Sequence, residues 1–179
     1  MAGRMHDKVV LLTGIGSGMG RVTAQLLARE GATVVGCDLL PGGCEETVRL
    51  VRAAGGAIDA AAPVDLTQRS EVQAWVDGAV SRHGRIDVLY NNASMPRFAP
   101  FADQSDADYR FTIENELDLV WIASQIVWPH LVTSHGCIVN IASGAGLAGA
   151  RQLPQAAHAA AKGAVLALTR QLAAEGMAV

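Results

Sequence analysis

Eight residues, Thr-Gly-Ile-Gly-Ser-Gly-Met-Gly at positions 13–20, constrain this chain more than any others. They follow a compact apolar run, Lys8–Thr13 (KVVLLT), which reads as a buried strand. They lead into Gly18–Glu30, where Val22, Leu26 and Leu27 recur on one helical face and Gly31 is the stop. In such a strand–turn–helix, Gly14 permits the tight exit, Gly18 lets backbone approach a ligand, and Gly20 lets the helix pack closely on the sheet. The helix N-terminus then offers free N–H groups and partial positive charge. With Ser17 and Met19 these glycines are expected to cradle a dinucleotide pyrophosphate. The common spacing, with glycine at relative positions 1, 3 and 6, would need glycine at Met19 or at Arg21. Thr-Gly-x-x-x-Gly-x-Gly fits instead.

The rest of the chain alternates in the same way. Ala32–Cys37 reads as a second strand and Gly43–Ala54 as a helix closed by Gly55-Gly56. Ala57–Ala62 is a weaker third strand, followed by a helix near Ser70–His83. Ile86–Tyr90 is a fourth strand, and one long helix is expected from about Ser105 to Ser134, kinked or ended early by Pro129. Cys137–Ile141 is a fifth strand, a glycine-rich loop spans Gly144–Gly149, and a last helix covers about Gln155–Glu175. Strands separated by helices imply an α/β fold: a doubly wound, Rossmann-type parallel sheet in three αβα layers, as one domain over residues 1–179. The fifth strand is left without an obvious neighbour on one side.

Composition agrees. Half of the residues are hydrophobic, 17% are charged and 4% are aromatic, which suits strands buried on both faces and excludes disorder. A net charge of −3 offers no basic footprint for nucleic acid. Cys37, Cys44 and Cys137 lack metal or disulfide spacing, and no apolar stretch approaches the ~20 residues of a membrane span. A cytoplasmic location is expected. His6, His83, His130 and His135 suit surface or capping roles, and no metal is expected. Trp75, Trp121 and Trp128 suit packing.

Asp38 ends the second strand, 18 residues after Gly20. An acid there accepts hydrogen bonds from an adenosine ribose and repels a 2′-phosphate, and no base follows it, only Leu39 and Leu40. The reading favours NAD over NADP; the alternative is a turn aspartate.

These residues together resemble one family, the short-chain dehydrogenases/reductases. Thr13–Gly20 resembles its glycine motif, and Asp65-Leu66 its adenine-contacting pair. Asn91-Asn92-Ala93-Ser94 is similar to its Asn-Asn-Ala-Gly, and Ile138–Ser143 to the strand delivering its catalytic serine. The resemblance implies hydride transfer between a nicotinamide and a secondary alcohol or ketone. It implies cofactor roles for Asn92, Ala93 and Lys162, and catalytic roles for Ser143 and Lys162. It also implies a homo-dimer or homo-tetramer through the long helix and the last helix. The sequence departs from the pattern in four places. His158 stands four residues before Lys162, where a tyrosine is expected. Ser94 replaces a glycine. The family's asparagine matches Asn115 by residue type and Glu116 by spacing; neighbours on a helix point about 100° apart, so only one is expected to enter the site, and the reading leans to Asn115. Finally, the family continues beyond this last helix, so the chain resembles a C-terminally truncated member lacking the final strands. Two readings follow. One is an NAD-dependent oxidoreductase altered by His158 and the truncation; the other is an NAD-binding or partner-binding pseudoenzyme without turnover.

Overall fold

A computed structural model describes residues 3–177; positions 1, 2, 178 and 179 lie outside the described residues. Five strands, β1 (Val9–Thr13), β2 (Thr33–Cys37), β3 (Ala57–Ala61), β4 (Val88–Asn91) and β5 (Cys137–Asn140), form one parallel sheet in the order β3-β2-β1-β4-β5. The helices are α1 (Gly18–Arg29), α2 (Pro41–Ala53), α3 (Arg69–His83), α4 (Asp106–Ile113), α5 (Leu119–Ser134) and α6 (Ala156–Gly176). This is the doubly wound Rossmann-type sheet expected.

Alternation along β1 sorts the core into its two sides. Leu11 packs with Val72, Trp75, Val76, Val127 and Val165 of α3, α5 and α6. Leu12 packs with Ala24, Ala28, Val34, Val51 and Ile58 on the side of α1 and α2. All five β1 residues are buried, as a strand covered on both faces must be. β5 bonds β4 on one side and is the edge of the sheet. The order reverses at β1, so the ends of β1 and β4 flank the crevice where ligands enter such sheets.

The long helix differs from expectation. It is interrupted at Glu114–Asp118 by one wide π-turn between α4 and α5. Pro129 neither ends nor shortens it: α5 continues to Ser134, because Ile126, Val127 and Leu131 anchor that segment in the core despite the missing N–H. Left-handed His135 (φ 51°) closes it. Of the tryptophans, Trp75 is buried and Trp121 is 53% exposed on this chain. No helix among the described residues is long and apolar enough to cross a membrane.

Candidate functional site

The crevice is built from the ends of β1 and β4. Thr13 Oγ1 accepts the backbone N–H groups of Asn92 (2.9 Å) and Ala93 (3.0 Å). The Asn92 amide donates to the carbonyls of Thr13 (3.0 Å) and Gly14 (3.1 Å). These four bonds set the floor. Gly14 has φ +72°, and its N–H donates to the Cys37 carbonyl at 2.8 Å, which turns the chain sharply out of β1. A Cβ on Gly20 would overlap the Gly14 carbonyl and lie 2.7 Å from the Asn92 amide, so glycine is needed for α1 to reach the sheet. At Gly18 (φ +48°) a Cβ would meet open space.

Asp38 ties the turn to β2: its carboxylate accepts from the N–H groups of Gly16 (2.7 Å) and Leu40 (2.9 Å). Asp65 folds back on Thr67, accepting its N–H (2.9 Å) and hydroxyl (2.7 Å). Every cofactor-binding candidate except Lys162 borders one groove of about 460 Å³: Gly14, Ser17, Gly18, Met19, Gly20, Asp38, Asp65, Leu66, Asn92 and Ala93. The groove fits the pyrophosphate of a dinucleotide. The first turn of α1 carries no acid, the Ser17 side chain makes no capping bond, and Gly18 faces open space.

A second cluster adjoins the groove. The π-turn puts Asn115 and Glu116 to different uses. Asn115 borders the groove, with its amide on the Phe111 carbonyl (2.9 Å) and its own carbonyl taking the Met95 N–H (3.3 Å). Glu116 is fully buried. Its Oε1 accepts from the Ser94 hydroxyl and lies 3.8 Å from Lys162 Nζ; its Oε2 lies 2.7 Å from His158 Nδ1. The structure therefore brings Glu116, and not Asn115, to His158 and Lys162. A π-turn adds a residue to the turn and so re-aims side chains relative to a regular helix.

Lys162 is 3% exposed and donates to the Ile141 carbonyl at 3.2 Å. Burial pushes its ammonium below the ordinary lysine value, and Glu116 opposes that shift. His158 keeps 13% of its side chain exposed, with the edge of Phe98 against its ring at 5.7 Å between centroids. Ser143 Oγ accepts the Ala145 N–H at 3.1 Å, so its own hydrogen is free to donate. The short turn after it, Gly144–Gly146, rests against α6: a Cβ on Gly146 would lie 2.7 Å from the Gly163 nitrogen.

Sequence reasoning missed Ser94 as the donor to Glu116, and Phe98 as the neighbour of His158. A signal for Ser94 was present: it replaces an expected glycine, just as Glu116 and His158 stand where other residues are expected. Their contact is visible only in three dimensions.

Comparison with known proteins agrees with this geometry. A family model described as short chain dehydrogenase matches residues 8–178. A hydroxy(phenyl)methylsuccinyl-CoA dehydrogenase subunit of Thauera aromatica is 38% identical over 172 residues, covering 96% of this chain and 68% of that protein. The meso-2,3-butanediol dehydrogenase of Serratia marcescens is 38% identical over 173 residues, covering 95% and 66%. The crystal structure of an NAD+-bound xylitol dehydrogenase superposes with a TM-score of 0.92 at 32% identity, covering 97% of this chain and 66% of that one. The chain thus spans about two thirds of the length of these relatives.

Proposed function

This chain belongs to the short-chain dehydrogenase/reductase family, and we propose that it transfers hydride between NAD and a secondary alcohol or ketone, with Ser143, His158 and Lys162 around the reacting oxygen. Members of the family are oxidoreductases acting on CH–OH groups with a nicotinamide cofactor. One observation carries the proposal. Ser94 borders the dinucleotide groove and also touches Glu116, which joins His158 and Lys162, so the titratable cluster opens onto the place where the cofactor would lie.

The bound nicotinamide would accept or deliver the hydride. The α1 N-terminus with Ser17, Gly18 and Met19 would hold the pyrophosphate, and Asp38, Asp65 and Leu66 the adenosine. Asp38 supports NAD: each of its oxygens accepts one loop N–H and keeps a lone pair for a ribose hydroxyl, while a 2′-phosphate would meet a carboxylate. Ser143 would donate its free hydrogen to the substrate oxygen. His158 would exchange a proton with that oxygen, since a neutral imidazole is an adequate base near neutral pH. Lys162 would hold the nicotinamide ribose.

A second reading, an NAD-binding protein without turnover, draws on His158 standing where the family resemblance calls for tyrosine. Two measurements decide. Calorimetric titration is expected to show NAD binding more tightly than NADP, with Asp38→Asn losing about tenfold or more in NAD affinity, as the loss of a charged hydrogen bond implies. No heat with millimolar NAD defeats both readings. Oxidation of a panel of secondary alcohols by wild type, with His158→Tyr alongside, is expected to show turnover in the wild type. Activity confined to the tyrosine variant would establish the second reading.

A further inference from the structure

Three of the positions where this sequence departs from the pattern it resembles, Ser94, Glu116 and His158, are in contact, although they come from the loop after β4, the π-turn and α6. A weakening site has no reason to drive a carboxylate into full burial beside an imidazole. Glu116 is fully buried: the Ser94 hydroxyl donates to Oε1, Lys162 Nζ lies 3.8 Å from the same oxygen, and His158 Nδ1 lies 2.7 Å from Oε2. A carboxylate ionised beside an ammonium has only lone pairs to offer the imidazole, so the nitrogen facing it must carry the hydrogen.

We propose that Glu116 is a positioning residue that holds His158 in the tautomer with hydrogen on Nδ1, leaving the Nε2 lone pair for the substrate, and that Ser94 steadies the carboxylate in this task. The proposal rests on the reading of His158 as the acid/base. A histidine ring has one donor and one acceptor nitrogen when neutral, and the partner of one decides the character of the other. In the oxidative direction Nε2 takes the proton of the alcohol O–H while the hydride on the same carbon leaves for oxidised NAD, and the carbon–oxygen bond becomes a carbonyl. The imidazolium is then paired through Nδ1–H with the Glu116 carboxylate, and its proton passes to solvent before the next cycle. Reduction runs the same exchange backwards. The groups around His158 are Glu116, 2.7 Å from Nδ1, the neutral ring of Phe98, and, one turn along α6, Lys162, which meets the other oxygen of Glu116.

The test is a long-range proton–nitrogen spectrum of protein labelled with 15N-histidine, in which the His158→Gln variant identifies the resonance. Wild type is expected to show the Nδ1–H tautomer in the neutral form. Glu116→Gln, whose amide can turn either its oxygen or its N–H toward Nδ1, is expected to raise the ratio of Nε2–H to Nδ1–H tautomer about tenfold. Ser94→Ala, at an exposed position, is expected to raise that ratio too, because a carboxylate without this donor is held less firmly against Nδ1; this arm stands even if Glu116→Gln does not fold. Glu116→Gln is further expected to lower kcat with KM unchanged. An Nε2–H tautomer in the wild type, or a tautomer ratio unmoved by both variants, overturns the proposal. The correct tautomer in a protein without turnover retains the positioning and defeats the catalytic reading; turnover with the Nε2–H tautomer does the reverse.

Discussion

The glycine turn allows two substitutions of identical chemistry to be separated by geometry alone. At Gly20 a Cβ lies 2.7 Å from the Asn92 amide and closer still to the Gly14 carbonyl, where favourable contact needs roughly 3.5 Å. Gly20→Ala therefore requires α1 to lift from the sheet by on the order of 1 Å. Lifting opens the bonds from Asn92 to Thr13 and Gly14, which join β1 to β4. Overpacking costs about 1–3 kcal/mol, and each lost hydrogen bond about 0.5–1.5 more, so about 3 kcal/mol in all is expected. In a domain of this size that lowers Tm by about 6–12 °C. At Gly18 a Cβ meets no atom within 4 Å, and the cost is the left-handed backbone alone, about 1–2 kcal/mol. Yet that Cβ would project into the space where a pyrophosphate must approach backbone. Thermal unfolding with and without NAD separates the two. Gly18→Ala is expected to stay folded with little NAD-dependent rise in Tm, and Gly20→Ala to lose stability before ligand is added. A Gly20→Ala variant that melts with the wild type would refute the packing argument, and a Gly18→Ala variant with the full NAD shift would refute the assignment of the groove.

Two further predictions concern the frame around the site. Asp87 is 3% exposed; burial pushes its carboxyl up, but Arg85, the Val9 N–H and Lys8 outweigh this and hold it below the usual aspartate value. A depressed carboxylate contributes stability that is present above the unfolded value of about 3.9 and lost as pH falls through the folded value. Asp87→Ala is thus expected to cost about 1–3 kcal/mol at neutral pH, by orphaning the Val9 N–H, and to flatten the acid limb of a stability–pH curve below about pH 4; an unchanged limb would count against it. Trp121, 53% exposed on α5, borders an apolar recess with Trp128, Leu168 and Leu172 of α5 and α6. If the homo-oligomer that the family resemblance implies forms through these helices, Trp121→Arg will sediment more slowly than the wild type with an unchanged circular dichroism spectrum; an unchanged coefficient removes this surface from the interface.

Much of this protein was legible in order along the chain. Apolar runs ending near glycine or cysteine mark β1 and β2, because a strand buried on both faces has no polar side to blur it. The spacing of Gly14, Gly18 and Gly20 marks the turn, because only glycine fits a left-handed exit and a helix packed against backbone. Asp38, Asp65 and Asn92 could be named as borders of the groove because they follow strands at the same edge of a parallel sheet. The break in the long helix was hidden: nothing in Ile-Glu-Asn-Glu-Leu-Asp announces a π-turn, which arises from packing against neighbours and not from local preference. Spacing along the chain pointed to Glu116 and residue type to Asn115; the lean to residue type was the one the structure overturns. Sequence alone determined where a nucleotide would lie, since that depends on backbone shape and a few local residues. Tertiary structure decided what surrounds the imidazole, because Ser94, Glu116, His158 and Lys162 are brought together by strand order, a widened turn and the docking of α6.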